Sequence, residues 1–245
     1  MYFKLKQFIK ILIPRKLLFK FELVFRFFIY MFYKGHKYEC NICNKRLNNF
    51  IQLANKDKLC PYCGSISRNR RLWEILKSGF LNQNLKILDF SPSRSLYRKL
   101  SKKYPTTYTS SDISGDFISE KHFDITKIDS EDSAFDLIIC YHILEHIEND
   151  KDAMNELFRV LKIGGKCLIQ TPFKDGEIYE NPEIILPEER LLHFGQQDHV
   201  RIYSVESLKE RLIKSGFSVE ILKYEEQINN YNGFNENEKV LICSK

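Results

Sequence analysis

From Leu85 to the C-terminus, short apolar runs alternate with amphipathic stretches, and no other feature limits the fold of this chain so tightly. The run LKILDFS reads as a buried strand ending at Asp89, followed by a helix over SLYRKLSKKYP. TTYTSSD gives a second strand ending at Asp112, KHFDIT a short third with Asp124, and FDLIICYH a fourth. In NDKDAMNELFRVLKIGG, Met154, Leu157, Phe158 and Leu161 form the stripe of a helix lying on a sheet, with Asp150 as N-cap and Gly164 and Gly165 as its stop. KCLIQTPF is a fifth strand, SVESLKERLIKSGF a helix, and SVEILKY with KVLICSK a closing pair. Strands alternating with helices imply βαβ units on a parallel sheet. With 245 residues and 43% apolar content, the chain can bury one domain core of ordinary size and carry a small appendage.

The stretch YHILEHIEND, Tyr141 to Asp150, contains H-x-x-E-H, which serves as a zinc helix in inverted-type metalloproteases. Such a site needs both histidines on one helix. Here His142 directly follows an apolar strand that must leave the sheet through a loop, so the context favours a strand-tip loop.

Four of the seven cysteines form two C-x-x-C pairs, Cys40/Cys43 and Cys60/Cys63, separated by sixteen residues. Two knuckles aiming four thiolates at one point match the tetrahedral shell of a zinc ribbon, and four thiolates leave no open position, so the metal is expected to be structural. The second knuckle, CPYCG, has a Pro and a Gly suited to a tight turn. Cys140, Cys167 and Cys243 lie singly in apolar runs and read as buried hydrophobes. Clustered pairs with an odd total point to metal in a reducing cytoplasm, not to disulfides. Arg68, Arg70 and Arg71 follow the ribbon; they suit nucleic acid, and equally a helix from about Ser65 with its basic side solvated.

The net charge of +6 is concentrated near the N-terminus, where nine Lys and Arg up to Lys37 face only Glu22. The near-neutral remainder argues against a broad nucleic-acid face. LLFKFELVFRFFIYMFY, Leu17 to Tyr33, carries Lys20, Glu22 and Arg26, which would cost on the order of 8 kcal/mol in a bilayer core, so spanning is disfavoured. On a helical projection Leu17, Leu18, Phe21, Val24, Phe25, Phe28 and Phe32 share one face, with Lys16, Lys20, Arg26 and Lys34 opposite. Residues 1–33 thus suit an anionic membrane surface, and docking on the protein's own body is the alternative. Pro14 is expected to break this helix from a shorter one, and no signal-peptide cleavage site follows.

The stretch AFDLIICYHILEHIENDKDAMNELFRVLKIGGKCLIQTPF resembles the class I S-adenosylmethionine-dependent methyltransferases in the region after their fourth strand. With CPYCGSISRNRRLW before it and EERLLHFGQQDHVRIYS after it, the chain looks like a bacterial subgroup with an N-terminal zinc ribbon, often associated with surface polysaccharide. The resemblance implies a Rossmann-like α/β fold, a mostly parallel seven-stranded sheet with helices on both faces, over residues 67–245. A basic amphipathic segment (1–37) and a ribbon (38–66) would precede it, and an acceptor lid would span about 174–201.

The resemblance also implies a cofactor site of Asp89, Ser91, Ser93, Asp112, Ile113, Asp124, Ile125, Cys140 and Tyr141. Asp112 would accept ribose hydroxyls and Asp124 with Ile125 would meet adenine. The family's acidic-x-Gly-x-Gly-x-Gly loop corresponds to Asp89, Phe90, Ser91, Pro92, Ser93, Arg94 and Ser95, a serine at every glycine. A serine at positive φ costs about 1 to 3 kcal/mol. The loop is therefore expected to take another path, with Pro92 fixing one φ. A turn or helix cap is the plain structural role for each of these carboxylates.

Methyl transfer from a sulfonium needs an in-line acceptor and little else, so no catalytic metal is implied. Candidate bases are His142, His146 and His199, with Glu145 as acid, base or loop brace. The leading expectation is transfer to a glycan, lipid-linked sugar or other small acceptor in the cytoplasm, peripheral to the inner membrane face. The alternatives are an RNA base methyltransferase using the ribbon to capture RNA, and a non-catalytic binding protein of the same fold.

Overall fold

The computed structural model describes residues 15–225 and 228–245. The expected break at Pro14 lies outside them. The chain forms two compact units that follow packing, not chain order. Residues up to Gly79, Ser93–Lys103 and Glu226–Glu236 make the first; Phe80–Pro92, Tyr104–Glu225 and Asn237–Lys245 make the second.

In the first unit, helix α1 (Arg15–Met31) leads into hairpin β1 (Lys34–Cys40) and β2 (Lys45–Leu47), then the small pair β3 (Ile51–Gln52) and β4 (Lys58–Leu59), and helix α2 (Ser67–Ile75). Helix α1 is turned the opposite way to an ordinary amphipathic helix. Its apolar residues Phe21, Val24, Phe25 and Phe28 are exposed, Phe28 by 62%, whereas Arg26 and Tyr30 are buried. Placing Arg26 on a solvated basic face is therefore corrected: it packs inward with Glu22 and Tyr30, on the i, i+4, i+8 stripe.

Glu22 explains the reversal. Its carboxylate lies 2.8 Å from Arg26 Nε, 2.6 Å from Arg98 Nη2 and 3.5 Å from Arg94 Nη1, the latter two on helix α3 (Arg94–Lys103). Burial alone would raise the Glu22 carboxyl, but Arg94, Arg98 and Arg26 together hold it below the usual range. The Arg26 guanidinium also lies against Gly64, whose φ is +74°; a Cβ there would sit 2.8 Å from Arg26 Nη2, so glycine is favoured in the second knuckle, where the first has Asn44 at φ +57°.

Helix α2 overturns the expectation of a solvated basic side. Arg70 and Arg71 are 0% and 1% exposed. Arg70 donates to the carbonyls of Asn232 (2.6 Å), Gly233 (2.7 Å), Ser65 (2.9 Å) and Lys58 (2.9 Å), and stacks 4.1 Å from the Phe50 ring. A buried cation is tolerated because carbonyl dipoles replace its hydration.

The second unit is a six-stranded sheet in the order β11-β12-β8-β7-β5-β6. Its strands are β5 (Ile87–Phe90), β6 (Tyr108–Ser111), β7 (Phe135–Tyr141), β8 (Leu161–Gln170), β11 (Ser218–Tyr224) and β12 (Glu238–Ser244). β6, β5, β7 and β8 run parallel, and β12 and β11 close the sheet antiparallel. The expected seventh strand is corrected: among the described residues KHFDIT contributes only a parallel bridge, Ser111 to Lys121, because Asp124 turns the chain at once.

Helices α4 (Asp150–Val160) and α6 (Val205–Lys214) supply Met154, Leu157, Val160, Leu208 and Leu212 to a core with Leu88, Ile138, Cys140, Ile169 and Cys243 of the sheet. The alternate residues Ile87, Leu137, Ile139, Leu168 and Ile242 are buried too, so both sheet faces are covered. Cys140, Cys167 and Cys243 are interior, as their apolar runs imply. Two helix ends shift from expectation. Asn149, not Asp150, caps α4, and the helix stops at Val160. Gly165 serves the β7–β8 ladder, since a Cβ there would lie 3.1 Å from the Asp136 carbonyl.

Candidate active site

Four parallel strands end within one residue of one another, β7 and β8 running one pair beyond β5 and β6. Phe90 of β5 pairs with Ser111 of β6 and Cys140 of β7, and Cys140 pairs with Ile169 of β8. The residues that leave these tips, Ser91, Asp112 and His142, therefore emerge side by side at the carboxyl edge, where sheets of this kind bind ligands.

Two of them hold left-handed backbone, Ser91 at φ +46° and His142 at φ +57°. The first serine thus keeps a glycine-like turn, contrary to a wholly different loop path. The strain is of the order of 1 kcal/mol or more. It is offset locally: Ser91 Oγ donates to Asp112 Oδ1 at 2.8 Å, and its N–H bonds the Ser111 carbonyl at 2.8 Å. Ser93, in the first unit, opens α3, its Oγ 3.4 Å from the Leu96 N–H.

Asp112 is buried and fully engaged, accepting from Ser91, from Ser114 Oγ (3.1 and 3.0 Å) and from the Phe117 N–H (3.2 Å). Asp124 is exposed and caps its own turn, accepting from Thr126 N (2.8 Å) and Oγ1 (2.7 Å). Ile113 is 65% exposed beside Asp112, while Ile125 and the Cys140 side chain belong to the core. Cys140 thus offers the tip only its backbone; burial pushes its thiol far up. Tyr141 is half-buried at the end of β7.

Beyond β7, Glu145 and His146 lie in a short 3-10 turn (Leu144–His146). His142 Nδ1 is 3.2 Å from Glu145 Oε1, and His146 Nδ1 is 3.2 Å from Asp198 Oδ2. His199 reaches this group from the other chain segment, its ring 4.7 Å from that of His146 and edge-on to it. The three histidines expected to carry chemistry are thus brought together. Burial outweighs the attraction of Glu145 and holds the His199 imidazole below its ordinary value.

The 174–201 segment is built from β9 (Tyr179–Glu180), α5 (Pro187–Phe194) and β10 (Arg201–Ile202), with β9 and β10 paired antiparallel. Arg201 is buried and spent internally. It donates to the carbonyls of Leu144 (3.2 Å), Ile147 and Glu148 (2.8 Å) and to Glu180 Oε2 (2.9 Å). Asp150 joins Tyr203 and Arg211, the latter at 2.5 Å. A cleft of about 410 Å³ opens here; of its charged lining Asp150, Glu180, Arg201 and Arg211 are committed to one another, and Ser91, Asp112 and His142 do not line it.

In the first unit Cys40, Cys43, Cys60 and Cys63 converge, with Sγ atoms 3.6 Å apart for Cys40 and Cys63 and 3.8 Å for Cys43 and Cys60. A tetrahedron of sulfurs about 2.3 Å from zinc has edges of about 3.8 Å, whereas a disulfide closes to about 2.05 Å. The spacing fits a four-thiolate metal shell. Ser65 Oγ lies 3.3 Å from Cys40 Sγ and accepts from Cys63 Sγ at 3.2 Å; with the cysteines as thiolates its single O–H can donate to one of them.

A wound parallel sheet with a strained loop at its switch edge and a histidine cluster beside it defines a Rossmann-like, ligand-binding α/β protein. A family model described as a methyltransferase domain matches residues 65–221, well over half the chain, which therefore belongs to that family. The chain is 15% identical, with TM-score 0.51, to phosphoethanolamine N-methyltransferase 2 of Haemonchus contortus solved with S-adenosyl-L-methionine, over 72% of this chain and 52% of that one. It is 14% identical, with TM-score 0.50, to an S-adenosylmethionine-dependent methyltransferase of Mesorhizobium loti, over 71% and 97%. Both likenesses concern the fold. An uncharacterized protein of Methanocaldococcus jannaschii is 30% identical over 113 residues, 43% of this chain; the match spans about half (49%) of that relative's length.

Asp89, fully buried below the loop, has its carboxyl pushed up to about 7 by burial, against the hydrogen bond from Tyr108 Oη at 2.9 Å. A folded pKa above the unfolded one means stability present below about pH 4 and lost as pH rises through 7. Asp89→Asn should therefore match the parent near pH 4 and melt higher at pH 8, by up to about 4 kcal/mol for roughly three units. Equal melting temperatures at pH 8 would show that burial does not raise the carboxyl.

Proposed function

We propose that the chain transfers a methyl group from S-adenosylmethionine to a hydroxyl of a glycan, lipid-linked sugar or related small acceptor. The observation that carries this is the juxtaposition, on adjacent strand tips, of the Ser91–Asp112 pair and the His142–Glu145–His146–His199 cluster. When bound, S-adenosylmethionine supplies an electrophilic methyl group on a cationic sulfur.

The chain's own residues then have two tasks, to seat the reactants and to accept one proton. Asp112 can seat ribose by exchanging the hydroxyls of Ser91 and Ser114 for those of the ligand, a replacement of like by like. As the acceptor oxygen bonds the methyl carbon, the carbon–sulfur bond breaks with its electron pair going to sulfur, which leaves as the neutral thioether of S-adenosylhomocysteine; the acceptor loses its proton, and an imidazole of the cluster is the group placed to take it. The ribbon's closed shell suits structural Zn2+, which would fasten the two knuckles without touching chemistry.

A membrane-surface acceptor is favoured by α1. Its outward stripe of Phe21, Val24, Phe25 and Phe28 is flanked by exposed Lys20 and, further on, Lys34 and Lys37, apolar and basic groups together as an anionic lipid surface requires. Among the described residues no helix is long and apolar enough to cross a membrane. The RNA reading is weakened, because Arg70 and Arg71 are interior and cannot meet phosphate.

Titration calorimetry with S-adenosylmethionine should give saturable heat, and Asp112→Asn should weaken binding about tenfold, or about 1.4 kcal/mol, with the fold intact. Unchanged affinity removes Asp112 from the site, and no heat from the parent at millimolar ligand defeats the transfer reading. In sedimentation with vesicles, the chain should follow anionic but not zwitterionic lipid, and Phe25→Asp with Phe28→Asp should abolish this. Equal retention of the variant would sink the membrane assignment.

A further inference from the structure

We propose that Glu145, His146 and His199 form a second metal site, for a divalent first-row transition ion, beside the tip of β7. One ligand atom from each can be chosen so that all three lie within 4.8 Å of one another. Ligand atoms about 2.1 Å from one ion stand about 3 Å apart in cis positions, so small side-chain rotations close the shell.

The hydrogen bonding around the cluster favours an ion over a merely packed polar group. Glu145 is 1% exposed, yet neither carboxylate oxygen accepts a well-aligned hydrogen bond among the described residues; its one close polar neighbour is His142 Nδ1, 3.2 Å from Oε1. His199 is 4% exposed; its Nδ1 is 3.3 Å from the Phe194 carbonyl, which takes the N–H there and leaves a bare lone pair on Nε2, itself buried and unpartnered. His146 repeats the arrangement, with Nδ1 3.2 Å from Asp198 Oδ2. An oxygen acceptor on one imidazole nitrogen, fixing the tautomer and freeing the other nitrogen, is the outer shell that metal-ligating histidines show. A buried carboxylate without hydrogen-bond donors is costly, and a dication at the same point removes that cost.

The frame is built to hold such a site. Glu145 and His146 come from the turn after β7 and His199 from the segment before β10, and the two are fastened by the Val200 N–H to Glu145 carbonyl bond at 2.9 Å and by Arg201 on the carbonyls of Leu144 and Glu148. Two imidazoles and one carboxylate leave coordination positions open, unlike the closed thiolate shell of the ribbon. Open positions would take acceptor oxygens and make a hydroxyl easier to deprotonate. That use rests on the methyl-transfer reading; the binding of metal does not.

Mn2+ is the probe, because it favours nitrogen and oxygen donors and is a poor competitor for four thiolates. Titration of the full purified chain, with its ribbon metal in place, should remove one equivalent of the free Mn2+ paramagnetic resonance signal per chain. Glu145→Gln and the half-exposed His146→Ala should each weaken this at least tenfold while leaving the far-ultraviolet circular dichroism and the ribbon metal content unchanged. No saturable Mn2+ binding, or binding by both variants as tight as the parent's, overturns the site. The titration uses neither cofactor nor acceptor. Mn2+ binding without S-adenosylmethionine heat would keep the metal site and defeat the transfer reading, and the reverse pair of results would do the opposite.

Discussion

The parallel ladder of β6, β5, β7 and β8 sets everything at the active edge. Because Phe90, Ser111, Cys140 and Ile169 share one level, the three chains that leave the sheet at Ser91, Asp112 and His142 do so side by side. A one-residue slip in any strand would turn its tip residues to the other face and send Cys140 out of the core. The register is secured from below by Leu88, Ile138, Cys140 and Ile169, packed with Met154 and Leu157 of α4. Core packing and site geometry are therefore a single constraint in this unit.

A second device fixes the loop beyond β7. Arg201 is buried among backbone carbonyls and shares Glu180 with Arg211, which in turn holds Asp150. Removing the Arg201 guanidinium would take a donor from the Ile147 and Glu148 carbonyls, each worth about 1 kcal/mol or more when buried. The arrangement stabilises a connection that has little apolar surface of its own, and so keeps His146 and His199 in place. The Arg201 charge within the expected acceptor lid is thus structural.

Much of this fold was legible from period alone. The buried runs at β5, β7, β8 and β12 and the stripes of α4 and α6 follow from apolar spacing, and the cysteine knuckles from ligand chemistry. What escaped was decided by partners distant in sequence. Arg70 and Arg71 look solvated until Asn232 and Gly233 supply carbonyls and Phe50 and Phe234 supply rings. Helix α1 projects as a basic amphipathic helix, yet Glu22, its lone acid, meets Arg94 and Arg98 and draws the charged stripe inward. Asp112 combines two roles that local sequence cannot separate: it braces Ser91 and the following turn while standing where a ribose acceptor belongs. Spacing places a residue on an element, but the choice of what it faces belongs to the rest of the fold.

The central claim, that a nucleoside-bearing ligand sits across these tips, is tested most directly by a crystal structure with S-adenosylhomocysteine. The account predicts the ribose on Asp112, the Ser91 backbone turned toward the amino-acid part, and the sulfur facing the His142 side of β7. A ligand bound elsewhere, or tips closed by Ser91, Ser114 and Tyr141 with no ligand between them, would contradict it.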